Sequence, residues 1–289
     1  DVCSSDLGDI RKNDMDLNLL KVFVSVANNK SISVAANELK CAQSNVTSRV
    51  KQLEKVLGLE LFHRVPKGVI LTSSGEKFYP QALEIIHKME SSIASLCEDE
   101  QISSLKIGST DCNAVVRISP FLLKLHEDFP KMQLELFTGT TKDIMQLILD
   151  YKVDIAFISG EPTNDSLMIL KKFEEEIAIL EPQEENSPNV ALSFKDGCVY
   201  DEFLKNYYKE RNIYVEKTLP FGNLETILSC IKVGMGKTLL PTSIVKKMGY
   251  DKDIKITILP KDEANIPTCL ICRKDNIPKI SDYLKKMDI

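Results

Sequence analysis

The segment from Gln43 to Leu57 constrains the fold of this chain most, because its apolar residues repeat with the period of an amphipathic helix. At 100° per residue, four apolar side chains fall within about 60° of one another: Val46, Val50, Leu53 and Leu57. The other side carries short polar and basic residues: Ser44, Asn45, Thr47, Ser48, Lys51 and Lys55. Gly58 then supplies a residue that ends helices readily. The pattern predicts a helix with one packed face and one polar face.

Two further helices are predicted before this one. The first, Leu17–Asn29, has apolar residues at three- and four-residue spacing. The second begins at a cap, Ser31 or Ser33, and runs through Leu39, with the small pair Ala35-Ala36 where two helices must approach closely. Three helices joined by short turns are typical of a helix-turn-helix unit.

A short hairpin is predicted after the third helix. His63-Arg64-Val65 and Val69-Ile70-Leu71 read as two strands around the turn Pro66-Lys67-Gly68. Basic residues near the tip suit contact with flanking phosphates or the minor groove of DNA. The hairpin is therefore interpreted as a wing.

Charge is divided unevenly along the chain. Residues 15–75 contain eight lysines and arginines against four acidic residues, a net charge of +4, whereas the whole chain carries −5. The remainder is therefore acidic. A basic head on an acidic body favours attraction of phosphate to the head alone.

Residues 31–80 resemble the N-terminal domain of LysR-type transcriptional regulators. The resemblance rests on several fixed spacings: Ala35-Ala36, Gln43-Ser44, Leu53-Glu54, Leu57-Gly58, Leu61-Phe62 with Arg64, Leu71-Thr72 and Gly75-Glu76. The chain departs from the family pattern at Thr47-Ser48, where the family often has Ser-Arg. Its arginine stands one position later, at Arg49. With the polar helix face, the resemblance implies these DNA contacts: Ser33, Gln43, Ser44, Asn45, Thr47, Ser48, Arg49, Lys51, Arg64 and Lys67.

A long helix is predicted from Ser73 to about Cys97. Its apolar residues approximate a coiled-coil seam: Phe78, Ala82, Ile85, Met89, Ile93 and Leu96. Packing on the chain's own C-terminal half is one alternative. A homodimer is the preferred one, and the resemblance implies the same. An acidic hinge is expected at 98–101.

Strands and helices alternate in the rest of the chain. The predicted elements of the first set are a strand at 105–109, a helix at 115–129, a strand at 133–138, a helix at 143–151 and a strand at 153–159. Those of the second set are a strand at 190–192, a helix at 200–211, a strand at 213–217, a helix at 223–233 and a strand at 238–240. This half resembles the effector-binding domain of the same family, which implies two α/β subdomains like those of periplasmic binding proteins.

The resemblance implies a ligand in the cleft between these subdomains. Loops rich in hydroxyl groups at helix starts suit an anionic or carboxylate-bearing small molecule, although plain helix capping explains such residues equally well. The expected effector contacts are Ser109, Thr110, Asp111, Thr138, Thr140, Ser159, Phe221, Asn223, Gly234 and Met235.

The remaining motifs indicate neither an enzyme nor a metal site. Cys269 and Cys272 have CxxC spacing in a strand-like run, so their side chains should point to opposite faces. The run from Gly234 to Thr238 lacks the first glycine of a P-loop. No Ser/His/Asp set, cofactor or metal is indicated. Redox sensing through Cys198 or Cys230 remains an alternative to ligand binding.

These observations predict an α+β multidomain regulator. The expected parts are a leader at 1–14, a winged helix-turn-helix at 15–72, a linker and dimerisation helix at 73–98, and a regulatory domain at 103–289. Within that domain, subdomain I is expected at 103–180 plus 270–289, and subdomain II at 181–269. The expected partners are promoter duplex DNA, a small-molecule effector and a second copy, with a dimer of dimers left open. Without a membrane span or a signal peptide, the expected location is the cytoplasm.

Overall fold

The structure is a computed structural model that describes residues 15–96, 104–184, 188–194 and 197–288. It contains two compact units, Asp1–Glu100 and Gln101–Ile289. The expected leader at 1–14 and the acidic hinge at 98–101 lie outside the described residues.

The first unit contains four helices and one hairpin in its described part. They are α1 (Leu17–Asn29), α2 (Ile32–Glu38), α3 (Gln43–Leu57), β1 (Phe62–Val65), β2 (Gly68–Leu71) and α4 (Ser73–Leu96). Asp16 starts α1, because its carboxylate accepts a hydrogen bond of 2.9 Å from the Leu19 N–H. Ser31 rather than Ser33 caps α2 by accepting from the Val34 N–H. Local capping chemistry therefore fixes where these helices begin.

The core of the first unit is apolar and lies between α1, α2, α3 and the start of α4. Val46, Val50 and Leu53 of the predicted stripe are buried, and Leu57 is half-buried. Phe23 of α1 packs against Phe78 of α4 with ring centroids 5.4 Å apart. The amphipathic pattern of α3 is thereby confirmed.

The linker helix α4 changes character along its length. Ala82 is fully buried against the first unit's core, whereas Ile85, Met89 and Ile93 are 47%, 47% and 52% exposed. The helix is preceded by Thr72, whose hydroxyl accepts a 3.0 Å hydrogen bond from the Gly75 N–H. The second half of α4 thus presents apolar side chains to solvent.

The described part of the second unit contains three sheets with helices between their strands. Its helical elements are α5 (Asp111–Asn113), a π-helical turn (Ala114–Ile118), α6 (Ser119–Asp128), α7 (Thr141–Leu149), α8 (Val199–Glu210), α9 (Leu224–Lys232), α10 (Thr242–Met248) and α11 (Ser281–Lys286). Its strands are β3 (Ser104–Thr110), β4 (Gln133–Gly139), β5 (Ile155–Ser159), β6 (Leu167–Phe173), β7 (Ile177–Glu181), β8 (Val190–Ser193), β9 (Lys217–Pro220), β10 (Thr238–Pro241), β11 (Lys255–Ile258) and β12 (Thr268–Arg273).

The first of these sheets has the order β4-β3-β5-β12-β6. The βαβαβ alternation gives parallel pairing of β3 with both β4 and β5, whereas β12 is antiparallel to β5 and β6. Cys269 and Cys272 of β12 belong to different apolar clusters, so they lie on opposite faces as expected. Helices cover both faces of the sheet.

The second subdomain combines two small sheets. One has the order β10-β7-β11, and β8 pairs in parallel with β9. The backbone of Lys237 bonds to Val190 and Leu192 at 2.8 Å, which places β8 beside the start of β10. β7 belongs to this subdomain and all of β12 to the first. The chain therefore crosses between the subdomains at 174–176 and 259–267, not at the expected 180 and 270.

The predicted strand at 213–217 is wrong, because residues 213–216 form the connection between α8 and β9. Asn212 adopts a left-handed conformation (φ 53°), and the Ile213 N–H bonds to the Tyr208 carbonyl at 2.9 Å. The strand starts only at Lys217, beside β8. Within the described ranges, none of the helices has the length and hydrophobicity of a membrane span.

Candidate functional site

The polar face of α3 lies on the surface of the first unit. Its expected contact residues are exposed or half-buried: Gln43, Ser44, Asn45, Thr47, Ser48, Arg49 and Lys51. Ser33 on α2 is exposed as well. The exposed edge of a helix with short polar side chains can enter a major groove and donate or accept hydrogen bonds there.

Two of the α3 side chains are oriented by the helix itself. The Arg49 Nε donates to Asn45 Oδ1 at 2.9 Å, one turn earlier. The Thr47 hydroxyl donates to the Gln43 carbonyl at 2.9 Å. Arg49, which is displaced by one place from the family pattern, therefore remains on the surface and is held along α3.

The wing extends this surface beyond α3. A groove of about 290 Å³ runs between α3 and the hairpin and is lined by residues of both. Thr47 and Lys51 of α3 face His63 and Arg64 of β1 across it. Arg64 and Lys67 of the hairpin are exposed. Basic side chains of both α3 and the hairpin therefore lie on this surface. This arrangement can bind a polyanion.

Three groove residues were missed from the sequence. Glu54, Glu60 and His63 line the same groove as the expected Lys51 and Arg64. Glu54 belongs to the Leu53-Glu54 motif and His63 to the predicted hairpin, but only the fold shows that they share a surface.

The second unit brings its expected cleft residues together only in part. Thr110, Asp111, Thr140 and Ser159 line a cavity between the subdomains, with Cys112, Gly139 and Thr141 beside them. From the second subdomain come Phe194, Cys198 and Tyr200. Ser109 is buried at the end of β3, where its hydroxyl donates to the Thr110 carbonyl, whereas Thr138 is exposed on β4.

This cleft is closed. Its cavity measures about 10 Å³, far below the ~300–1,000 Å³ of small-molecule pockets. Gly197 of the second subdomain approaches α7 of the first so closely that an added Cβ would lie 2.8 Å from Lys142 Cβ. The Lys142 N–H also donates to the Gly197 carbonyl at 3.4 Å. The two subdomains therefore touch at the cleft.

The expected contacts at 221–235 lie elsewhere, because they serve to begin and end α9. Asn223 accepts from the Thr226 N–H at 2.7 Å and caps the helix. Gly234 (φ 85°) and Met235 end it through hydrogen bonds to the Ile231 and Cys230 carbonyls. Neither these residues nor Phe221 line the cleft cavity.

A buried polar network joins the two subdomains near the cleft. Arg117 Nη2 lies 2.7 Å from Glu175 Oε1, with side chains only 12% and 4% exposed. Thr268 donates to the same carboxylate at 2.8 Å, and Ser243 of the second subdomain does so at 3.2 Å. Glu175, in the connection at 174–176, therefore binds both subdomains.

The cleft also contains buried ionisable groups. Burial raises the pKa of the Cys112 thiol well above its ordinary value. Burial likewise raises the pKa of Cys198. It also raises the pKa of Tyr200 well above its usual range. These groups therefore remain protonated at neutral pH. In the described parts of the chain, no three His, Cys, Asp or Glu residues are arranged to hold a metal ion.

Two family models match the chain. Residues 17–76 match "Bacterial regulatory helix-turn-helix protein, lysR family", and residues 98–282 match "LysR substrate binding domain". Among named relatives, the HTH-type transcriptional regulator SoxR of Arthrobacter sp. (strain TE1826) is 32% identical over 267 residues, covering 90% of this chain and 92% of the relative. The transcriptional regulator GltR of Bacillus subtilis is 32% identical over 284 residues, covering 94% and 96%.

Solved structures share the fold over most of the chain. A full-length OxyR variant from Pseudomonas aeruginosa has a TM-score of 0.67 at 20% identity, covering 91% of this chain and 90% of that one. Full-length CbnR in complex with its target DNA has a TM-score of 0.57 at 18% identity, covering 92% and 96%. The predicted fold class is confirmed. The chain is a DNA-binding transcriptional regulator rather than an enzyme, and it belongs to the LysR family.

Proposed function

We propose that this regulator binds promoter DNA with α3 in the major groove and the wing on the flanking backbone. The observation that carries the proposal is the shared groove, in which Lys51 of α3 and Arg64 of the wing lie on one surface. A duplex that α3 enters would therefore meet the wing at the same time. The expected contacts are the exposed set on α2, α3 and the hairpin named above.

The test begins by selecting duplexes from a random-sequence pool with the full-length protein. Affinity for the selected duplex is then measured by fluorescence anisotropy. Lys51→Ala and Arg64→Ala should each weaken binding about tenfold, because each removes a phosphate or base contact. Lys247→Ala, an exposed lysine of α10, is the matched control. Wild-type affinity in both α3 and wing variants would contradict the proposal.

The second half of α4 supports a homodimer. Ile85, Met89 and Ile93 recur on one face at coiled-coil spacing and are about half exposed. Ile85→Glu combined with Met89→Glu should produce a monomer in sedimentation velocity, whereas Lys88→Glu on the same helix should leave a dimer. A double variant that stays dimeric would place the interface elsewhere.

The cleft is the proposed site of a small anionic effector. Support comes from three hydroxyl groups around one cavity: those of Thr110 and Thr140 at the starts of α5 and α7, and that of Ser159 at the end of β5. Because the closed cavity is too small for such a molecule, binding requires the subdomains to separate first. The ligand would then act by favouring one subdomain arrangement over another.

A thermal-shift screen of small carboxylates, amino acids and aromatic acids on the full chain tests this site. A molecule that raises the melting temperature should lose affinity when Ser159 is replaced by alanine. Ser119→Ala, at an exposed serine that starts α6, is the control. Equal affinity in both variants would exclude the cleft as the site.

The alternative, cysteine-based redox sensing, receives less support. Cys198 lines the cleft opposite Cys112, but the raised pKa of both thiols disfavours the reactive thiolate. Replacement of all cysteines by serine should therefore leave regulation intact. Loss of the response to peroxide in that variant would instead establish the redox function.

A further inference from the structure

Glu54 joins the recognition helix to the wing. Its Oε1 accepts hydrogen bonds from the Leu61 N–H at 2.8 Å and from the Phe62 N–H at 3.3 Å. Leu61 is 1% exposed, and Phe62 begins the first wing strand. One carboxylate oxygen of α3 therefore fixes the backbone where the wing starts.

Other contacts hold the wing from its remaining sides. The Val69 N–H donates to the Lys30 carbonyl at 2.9 Å, between α1 and α2. The Thr72 hydroxyl donates to the Glu60 carbonyl at 2.7 Å. Glu54 differs from these because it comes from α3 itself. It therefore sets the separation between the two surfaces that meet DNA.

The charge of Glu54 makes this position informative. Glu54 lines the groove beside Lys51 and Arg64, where a carboxylate repels phosphate. Electrostatics alone thus predicts that removing it would strengthen DNA binding. A geometric role predicts the opposite result.

We infer that Glu54 is a positioning residue that holds the wing at the distance from α3 at which Lys51 and Arg64 bind one duplex together. The inference rests on the DNA contacts proposed above. It adds a residue that does not itself need to touch DNA. Its side chain acts through the backbone of residues 61 and 62.

The experiment measures how DNA affinity of the full-length protein falls with salt, using a random-sequence duplex. Each phosphate contact contributes about 0.9 to the slope of log affinity against log salt. Glu54→Ala should reduce the slope by about 1 to 2 and weaken binding about tenfold at low salt, because the wing contacts are lost. Glu54→Asp, which keeps the charge but is one methylene shorter, should behave in the same way. Glu54→Gln keeps an acceptor oxygen at the same reach and should retain the wild-type slope.

Two controls separate position from charge and from folding. Glu60→Ala removes a neighbouring groove carboxylate whose side chain is exposed, and it should leave the slope unchanged or strengthen binding. Amide hydrogen exchange of α1 and α3 reports whether the first unit is folded. If Glu54→Ala unfolds this unit, the salt slopes of Glu54→Asp and Glu54→Gln are compared instead. A reduced slope for Glu54→Asp alone supports the positioning role, and equal slopes contradict it.

The reference variant is Arg64→Ala combined with Lys67→Ala. If this variant loses slope while Glu54→Ala and Glu54→Asp keep the wild-type value, the inference about Glu54 is overturned and the wing contacts stand. If the reference variant also keeps the wild-type slope, the wing does not bind phosphate. The proposed wing contact and the inference about Glu54 then fall together.

Discussion

Short polar side chains stand at the starts of helices in both units of this protein, but the two units use them differently. At the start of α3, Ser44 and Asn45 are exposed. At the cleft, Thr110 and Thr140 are buried and accept hydrogen bonds within their own helices, from Asn113 and Asp143. The polar groups at the start of α3 are therefore accessible to a partner. The corresponding groups of the second unit are buried at the cleft.

The difference extends to what holds each unit together. The core of the first unit consists of apolar side chains in its described part. The second unit adds the buried network around Glu175, which links its subdomains. The proposed separation of the subdomains would act on these polar contacts, whereas the proposed DNA binding by α3 would not.

The largest effect is expected for Arg117→Met. The change leaves Glu175 buried without its cation, which should destabilise the second unit by about 3–5 kcal/mol. The chain contains no tryptophan, so unfolding in urea is best followed by hydrogen exchange of β5 and β12 amides. Lys124→Met, at an exposed pair with Asp128, is the control and should cost less than about 1 kcal/mol. Equal stability of the two variants would refute a structural role for the network.

The buried cysteines of β12 in the second unit should react more slowly with maleimide than Cys41 of the first unit. Burial raises the pKa of Cys269 and of Cys272 to about 11. At pH 8 only about one thiol in a thousand is then ionised, and the thiolate is the nucleophile. Cys41 of the first unit is half-buried, so maleimide should label it first of these three. Labelling of Cys269 should be slow and should rise with pH as more of the thiol ionises, as mass spectrometry of peptides can show. Rapid labelling at pH 7 would mean that the β12 sheet opens readily.

Gly75→Ala should weaken the first unit by about 1–3 kcal/mol through overpacking. An added Cβ would lie 2.2 Å from the Leu61 carbonyl oxygen, at the base of the wing. Ser74→Ala, its half-buried neighbour, should have little effect. Thermal unfolding followed by circular dichroism measures both. An unaltered melting temperature for Gly75→Ala would show that the backbone at the wing base adapts to the added methyl group.

The sequence predicted the first unit better than the second for a physical reason. The helices α1 and α3 and the wing follow from local periodicity, capping and turn residues, and their observed spans match the expected ones within a residue. The sheet of β7, β10 and β11 depends on pairing between residues far apart in sequence, which local patterns do not reveal. The same limit explains why Asn223 and Met235 were expected in the cleft. Helix-capping residues look alike whether or not a cavity lies beside them.

The smallest effect is expected at Lys21, which binds Glu90 of α4 at 2.7 Å. This ion pair has the same chemistry as Arg117 and Glu175, but its side chains are 42% and 56% exposed. Water and salt screen it, so Lys21→Met should cost less than about 1 kcal/mol, and the difference should vanish in about 1 M salt. The Arg117→Met cost should persist in the same salt, because burial shields that pair from counterions. A salt-independent loss at Lys21 would show that the contact between α1 and α4 rests on packing of the lysine side chain rather than on its charge.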